Sequence, residues 1–478
     1  MTRNALGWFS FLVFSVGCSS GLEKRLQSLA PGDLSKVEAK VSEVLDEKGF
    51  ASVVVHLSQK ADLAAIYAKE WNARGKLVVN ALQATAGQSQ PAVLSLLQAN
   101  ERLGKVSDVE PLWICNCIVA AADEDTLSAL ASRADVKSIV ANQPMKVDLE
   151  PAYPAPAGPE TAVEWNISLI GADSVWADFG ITGQGITVGN MDTGVQWDHP
   201  ALKNKYRGWD GNTASHDYNW FDATSAHSRV PVDRGGHGTH TTGTIVGDDG
   251  GANQTGVAPG ANWIMAAIID NGDAWVAAAH RGFQWMIAPT DLDGKNPEPD
   301  LRPAVVNNSW GCNRFVAGCS SEEEFRDDVD AWIAAGIFPE FSAGNEGPGA
   351  QSMRWPGGYA ESFSTGATNR QDTIAAFSSR GPGQDGTTKP EVVAPGDQVR
   401  SSFPGSTYFV MSGTSMAGPH VVGLVALLLQ ANSDLTDDDL ANIIEGTAVQ
   451  KGDPIPNNTY GWGRIDAYSA VSYALSQK

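Results

Sequence analysis

Apolar positions follow different rhythms along this chain, and the rhythm changes twice. Between residues 46 and 147 the pattern reads strand, long helix, strand, helix, strand. The run "ASVVVHLS", starting at Ala51, has strand length and β-branched content. From Ala61 to about Gly104 an Ala/Leu/Gln-rich stretch carries helical periodicity, broken near "GQSQP". "LWICNCIVAAA" reads as one strand, "DEDTLSALASRA" as a helix capped by Asp123 or Asp125, and "VKSIVAN" as a strand. Residues 18–45 ahead of this unit are polar and partly helical. Residues 148–162 behind it, "DLEPAYPAPAGPETA", are rich in Pro and Ala and read as an exposed linker. From 163 to 478, short buried-type runs such as "GITVGNMDTG", "WIMAAIID", "AVVNNSWG" and "GIFPEFSAGN" alternate with helical patterns. This predicts an α/β fold with a mostly parallel sheet. In such sheets functional groups gather at the carboxyl ends of strands. Several of these runs do end in a polar residue beside glycine.

The chain has 478 residues, room for two or three domains at ~100–200 residues each. It is 42% hydrophobic and 18% charged, so it can bury a large core. Its formal net charge of -22 argues against nucleic acid or anionic lipid as a partner, because phosphates would be repelled. At the N-terminus, Arg3 precedes an apolar stretch at 5–16, too short to span a membrane and of signal-peptide length. Ordinary cleavage after Gly17 is one reading of residues 1–17. A bacterial lipoprotein signal, with Cys18 lipidated, is the other. No other apolar run approaches the ~20 residues of a span. Of the five cysteines, Cys115 and Cys117 fall on one strand-like run, where pairing geometry is poor. Cys312 and Cys319 close a short loop and either pair in an oxidising compartment or stay as buried thiols.

Four polar residues stand out together. Asp192 ends "ITVGNMDTG", His237 lies in "RGGHGTHTTGT", Asn345 in "SAGNEG", and Ser415 in "MSGTSMAGPHVVG" where a loop becomes a helix. Each alone is an ordinary turn, core or cap residue. All four at glycine-flanked ends of elements form a much rarer coincidence, and the chemistry needs these types. A serine hydroxyl is a poor nucleophile until a base takes its proton. Histidine suits that task near neutral pH. A buried carboxylate fixes the imidazole tautomer and stabilises the imidazolium. The tetrahedral intermediate needs preorganised donors, which the Asn345 side chain and the Ser415 backbone N–H can supply. Gly238, Gly344 and Gly413 let backbone approach a bound chain closely.

The blocks "MDTGVQWDHPAL", "HGTHTTGT", "SAGNEG" and "SGTSMAGPHVVG" resemble the signature blocks of subtilisin-like serine proteases, in the family's Asp, His, Ser order. The likeness runs from 163 to the C-terminus. It implies a three-layer subtilisin-like fold and a secreted or lipid-anchored serine endopeptidase acting on proteins or peptides through an acyl-enzyme. By the same resemblance Asp192 orients, His237 is base then acid, Ser415 is the nucleophile and Asn345 the oxyanion donor. Ser309, Trp310 and Gly311 match the segment that pairs with the substrate backbone, and Asn271 and Gly272, with Asp273, the opposite edge. Gly344, Glu346 and Arg354 fall around the first specificity pocket. Arg354 reaches toward it, paired either with Glu346 or with substrate. Residues 46–147 more loosely resemble the family's small α+β, ferredoxin-like pro-domain, an inhibitor and folding aid that the enzyme removes by cutting its own linker. A monomer is expected, with no nucleic-acid partner and no membrane contact beyond a lipid on Cys18.

The resemblance has departures. The family's strong calcium site takes a carboxylate where Ala201 stands, and "GDDGGANQT" lacks the usual Asn. No cofactor is expected for the chemistry, and that calcium site is expected to be missing. The acidic residues at 248–250 read as an exposed loop, with structural calcium bound there in another way as the alternative. Two rivals are a metal-dependent hydrolase using Asp192, His237 and His240, and a catalytically silent binding protein on the same fold. The spacing of His237 and His240 without a following Glu disfavours the first. The intact set of four disfavours the second.

Overall fold

The computed structural model describes residues 34–147, 149–155, 163–312, 319 and 322–477. The signal-like stretch, Cys18 and linker residues 156–162 lie outside the described residues.

Seven strands form the main sheet, in the order Trp220–Asp222, Asn262–Ala267, Thr187–Asp192, Val305–Asn308, Phe338–Ser342, Phe363–Thr368, Val392–Pro395. Every neighbouring pair is parallel. Side chains alternate across a strand, and here both faces are covered. Trp263, Met265 and Ala267 enter one hydrophobic cluster, while Ile264 and Ala266 enter another. That is why these strands read as continuous apolar runs. The helix Thr414–Ala431 has the length and apolarity of a membrane span, yet its side chains are almost all buried in the protein core.

The N-terminal unit is a four-stranded antiparallel sheet in the order Val106–Leu112, Cys117–Asp123, Phe50–Leu57, Val136–Ala141. The long helical stretch divides where Pro91 opens the helix Pro91–Glu101 after Trp71–Ser89. Asp123, not Asp125, caps Glu124–Ala131 by accepting from Thr126 N at 3.0 Å. The helix Ala39–Lys48 buries Val41 and Leu45 in this unit's core, so the polar stretch before residue 46 is partly integral to it.

One sequence expectation is overturned here. "LWICNC" is not part of a single strand but the end of a hairpin, with Asn116 in the left-handed region at φ 45°. The first strand, "VSDVEPL", is half polar and bulged, which hid it. The reversal sets Cys115 beside Cys117, and the two form a disulfide with Cα atoms 5.3 Å apart. Cys312 and Cys319 are also joined, at 5.6 Å between Cα atoms.

The two units share one core. Val54, Val78 and Leu82 of the N-terminal unit belong to the same cluster as Phe283, Phe325 and Trp332 beyond residue 163. Trp71 Nε1 donates to Gly336 O at 2.7 Å and Arg74 Nε to Ala334 O at 2.8 Å, satisfying carbonyls that end the helix Arg326–Ala335. Ion pairs Lys60–Asp327, Lys76–Asp300 and Lys146–Asp273 ring the contact. Exposed pairs of this kind contribute little each, so apolar burial carries the docking.

Glu340 sits wholly buried in the strand Phe338–Ser342, under Gly418 of the long helix. Burial pushes its carboxyl up to about 8. An unfolded Glu ionises near 4.5, so between about pH 4.5 and 8 the folded chain keeps a proton that the unfolded chain has lost. Unfolding free energy therefore falls as pH rises through that interval. In a Ser415→Ala background, Glu340→Gln should flatten this profile and stabilise the fold at pH 8 by on the order of 4 kcal/mol. Urea unfolding at pH 5 and pH 8 checks it. An unchanged pH slope would sink the assignment.

Candidate active site

The main sheet places the site. The strands from Val305 onward add on one side of Thr187–Asp192, and those at Asn262–Ala267 and Trp220–Asp222 on the other. Such a reversal opens a crevice at the strands' carboxyl ends. Asp192 closes one strand at that crevice and Ser309 directly follows its neighbour, Val305–Asn308. Asn345 comes just after Phe338–Ser342. His237 opens the helix His237–Val246, entered through Gly236 at φ 79°. Ser415 is the second residue of Thr414–Ala431.

His237 Nδ1 lies 2.7 and 2.9 Å from the two Asp192 oxygens. Asp192 also accepts from Thr193 N at 2.7 Å and Thr241 Oγ1 at 3.1 Å, so its carboxylate is fixed from three sides. Asn345 Oδ1 accepts from Thr414 N at 2.9 Å and Thr414 Oγ1 at 3.0 Å. The amide is thereby turned with Nδ2 on the Ser415 side. Sequence reading missed Thr414, although it stands beside Ser415 in "GTS". Pro419 has no N–H for the carbonyl four residues earlier, Ser415 O. Ser309 Oγ takes that carbonyl instead, at 2.9 Å.

The carboxylate of Glu150 stands in the middle. Its Oε1 accepts from Ser415 Oγ at 2.7 Å and from Asn345 Nδ2 at 2.8 Å. Its Oε2 is 2.9 Å from His237 Nε2, an ion contact out of hydrogen-bond alignment. Gly413 makes room, since a Cβ there would overlap the carboxylate. Burial alone would lower the His237 pKa. The Asp192 and Glu150 carboxylates outweigh it and hold the imidazole well above its ordinary range. Burial alone would raise Glu150, but the His237 charge and the Ser415 hydroxyl bring it below the usual carboxylate range.

Glu150 arrives on an irregular segment held at the cleft by strand pairing on either side. Pro144–Lys146 pairs antiparallel with Asp273–Trp275, and Val147 N donates to Gly272 O at 2.8 Å. Further on, Tyr153–Pro154 pairs with Thr407–Met411. Residues 149–155 are therefore not a free linker. Paired edges at 144–147 and 153–155 hold the backbone on either side of 149–152, which proline content alone does not forbid at a sheet margin.

The remaining sequence candidates divide. Asn271 and Gly272, at φ 51° and 81°, form the two-residue turn of the hairpin joining Ile269–Asp270 to Asp273–Trp275. Gly272 meets the bound segment through its carbonyl, while the Asn271 side chain turns to Asp270 at 3.0 Å. The Trp310 ring is buried against Phe325 and Phe341. Gly311 packs on Arg354. Arg354 is paired with Glu346, Nε lying 2.8 and 3.0 Å from the carboxylate oxygens. Gly344, at φ 108°, admits both side chains where a Cβ would collide. His240 turns away from Asp192, its Nε2 lying 3.1 and 3.2 Å from the Val399 and Phe409 carbonyls, so the metal-hydrolase set does not assemble. In the acidic loop, Asp248 and Asp249 accept from Gly250 N and Gly251 N, both at 2.8 Å.

Comparison with known proteins supplies the lineage. Residues 183–463 match the model of the subtilase family. This chain is a subtilase. Residues 183–463 take in Asp192, His237, Asn345 and Ser415, and the family is one of serine proteases. The subtilase is 38% identical over 455 residues to Bacillopeptidase F of Bacillus subtilis, covering 91% of its own length and 31% of that protein. It thus spans about a third of that relative. It is 29% identical over 381 residues to Serine protease AprX of Bacillus subtilis, covering 74% of this chain and 79% of that one. Against Subtilisin Savinase of Lederbergia lenta identity is 30% over 316 residues, 65% of this chain and 99% of Savinase.

Proposed function

We propose that this subtilase is a secreted serine endopeptidase made as a self-processing zymogen. Ser415 Oγ attacks the peptide carbonyl while His237 takes its proton, oriented by Asp192. Asn345 Nδ2 and the Ser415 N–H receive the negative charge of the tetrahedral oxygen. His237 returns the proton to the leaving amine, and water then resolves the acyl-enzyme by the same steps. Peptide substrates add as a strand to the edge at residues 271–273, with 309–311 opposite. Residues 46–147 act as the inhibitory pro-domain, and the cut falls between about 147 and 163. No cofactor takes part in these steps.

The observation that carries this reading is Glu150, brought at once to Ser415, Asn345 and His237 by a segment of the same chain. In this arrangement a carboxylate, not a scissile carbonyl, occupies the oxyanion position. A protonated His237 cannot accept the serine proton, so the segment blocks the site both sterically and electrostatically. Cleavage requires the segment to shift and His237 to lose its proton.

The sign of the pH dependence follows. Glu150 is depressed, so its share of the ion pair is lost as pH falls through its lowered pKa. His237 is raised, so its share is lost as pH rises through its raised pKa. Self-cleavage should therefore speed up on the alkaline side. Glu150→Gln removes one of the two charges holding the imidazolium. It should process at least about tenfold faster at neutral pH, with the alkaline rise moved to lower pH. Loss of intact chain across a pH series, with phosphonate labelling of Ser415 as a second readout, tests this. An unchanged profile, or a phosphonate adduct on another residue, would reject the reading.

A further inference from the structure

Where the N-terminal unit meets the peptidase, four titratable side chains that the catalytic reading does not use are buried together. His56 comes from the strand Phe50–Leu57, His280 from the helix Val276–Ile287, and Glu324 and Asp328 from the start of the Arg326–Ala335 region. Two imidazole nitrogens aim at one oxygen. His56 Nε2 lies 2.8 Å from Glu324 Oε1, and His280 Nε2 lies 3.1 Å from the same atom. These side chains are 10%, 0% and 2% exposed for His56, His280 and Glu324.

We propose that His56, His280 and Glu324 form a transition-metal site of the zinc class, bridging the N-terminal unit and the peptidase. The three donor atoms lie within 4.8 Å of one another. In a tetrahedral zinc site, donors sit about 3.3 Å apart, given bonds of about 2.0–2.1 Å. The two separations at Glu324 Oε1 need only a few tenths of an ångström of adjustment, and the third pair, the two imidazole nitrogens, lies within the same 4.8 Å limit. The second observation concerns Asp328, whose oxygens lie 3.0 and 2.9 Å from His280 Nδ1. A neutral imidazole that gives its one proton to Asp328 turns a lone pair from Nε2 toward Glu324. Either a second proton or a metal ion must then bridge Nε2 to Glu324, and a divalent ion bound there takes the place of that proton. A carboxylate behind a histidine is also the usual outer partner of a metal-bound imidazole. Charge closes as well, since one divalent ion with two neutral imidazoles offsets Glu324 and Asp328 in a buried place. Cys115 lies near His280 and Asp328 too, but its sulfur is bonded to Cys117 and offers no thiolate. Three protein ligands leave a fourth tetrahedral position for a small ligand.

His56 is the one ligand on the far side of the linker. Given the zymogen reading, on which this consequence alone rests, the ion clamps the pro-domain after its bond is cut, and chelation speeds its release. The test uses the full-length Ser415→Ala chain, stripped of metal and titrated with zinc chloride in a calorimeter. One zinc per chain is expected. His56→Gln and His280→Gln should each weaken it at least about a hundredfold, and Asp328→Asn about ten- to a hundredfold. X-ray absorption on the zinc-loaded chain needs none of these substitutions and should find two imidazole nitrogens at about 2.0 Å. No stoichiometric zinc, binding untouched by His56→Gln in a folded chain, or a spectrum without imidazole would overturn the site. In the processed protein, a chelator should shorten the life of the inhibited complex at least about tenfold, and an unchanged life would overturn the clamp. Zinc binding is read on an uncut chain, so failure of self-processing would show separately and leave the site standing.

Discussion

Ser415→Ala should leave residues 46–147 covalently joined to the peptidase and should lower peptide hydrolysis by about 10⁶-fold. That magnitude is the one known for loss of the nucleophile in subtilisin and is not computed from this geometry. The linker enters the cleft in the same molecule that carries the nucleophile. Cutting it is effectively unimolecular and independent of protein concentration. The two flanking pairings, of Pro144–Lys146 and of Tyr153–Pro154, keep the segment near Ser415 Oγ without demanding a folded substrate. The substitution removes one hydroxyl and its 2.7 Å bond to Glu150, so the chain should still fold. Made in a host lacking other proteases, the parent should yield two fragments, separated between about 147 and 163, and the variant one chain. If the variant is cut at the same bond, another enzyme performs the maturation and the self-processing claim fails.

Asn345→Ala should lower kcat by about 10²–10³ with little change in KM. This size too is subtilisin's for an oxyanion donor. The argument for this chain lies in how the amide is held. Thr414 occupies Oδ1 with two donors, so the only group Asn345 offers the reacting centre is Nδ2. A neutral ground-state carbonyl uses that donor weakly and the tetrahedral oxyanion uses it strongly, which is why kcat and not KM should respond. The 2.8 Å bond from Nδ2 to a Glu150 oxygen already has an anion as its acceptor. The same variant should therefore also hold its pro-segment less tightly. Steady-state kinetics on the processed variant decide the matter, and a near-normal kcat would remove Asn345 from the mechanism.

Asp192, His237, Asn345 and Ser415 were legible in the sequence because each stands close to glycine at the end of a strand or the start of a helix. Strand-end and helix-start chemistry is local, and so is the alternation that predicted a parallel sheet. The hairpin at Cys115 was not legible, because a half-polar bulged strand carries no clean period. The pairing of Arg354 with Glu346 needed the loop geometry that packs both against Gly344. Tertiary structure alone decided the rest. Glu150 reads as an ordinary linker carboxylate until the fold sets it against Asn345, 195 positions away, and Ser415, 265 away. His56 is an unremarkable strand residue until docking brings it to Glu324, 268 positions on. Local pattern specifies which chemistry each segment can offer. Burial of a shared apolar core, which is non-directional and blind to sequence separation, decides which of those groups meet.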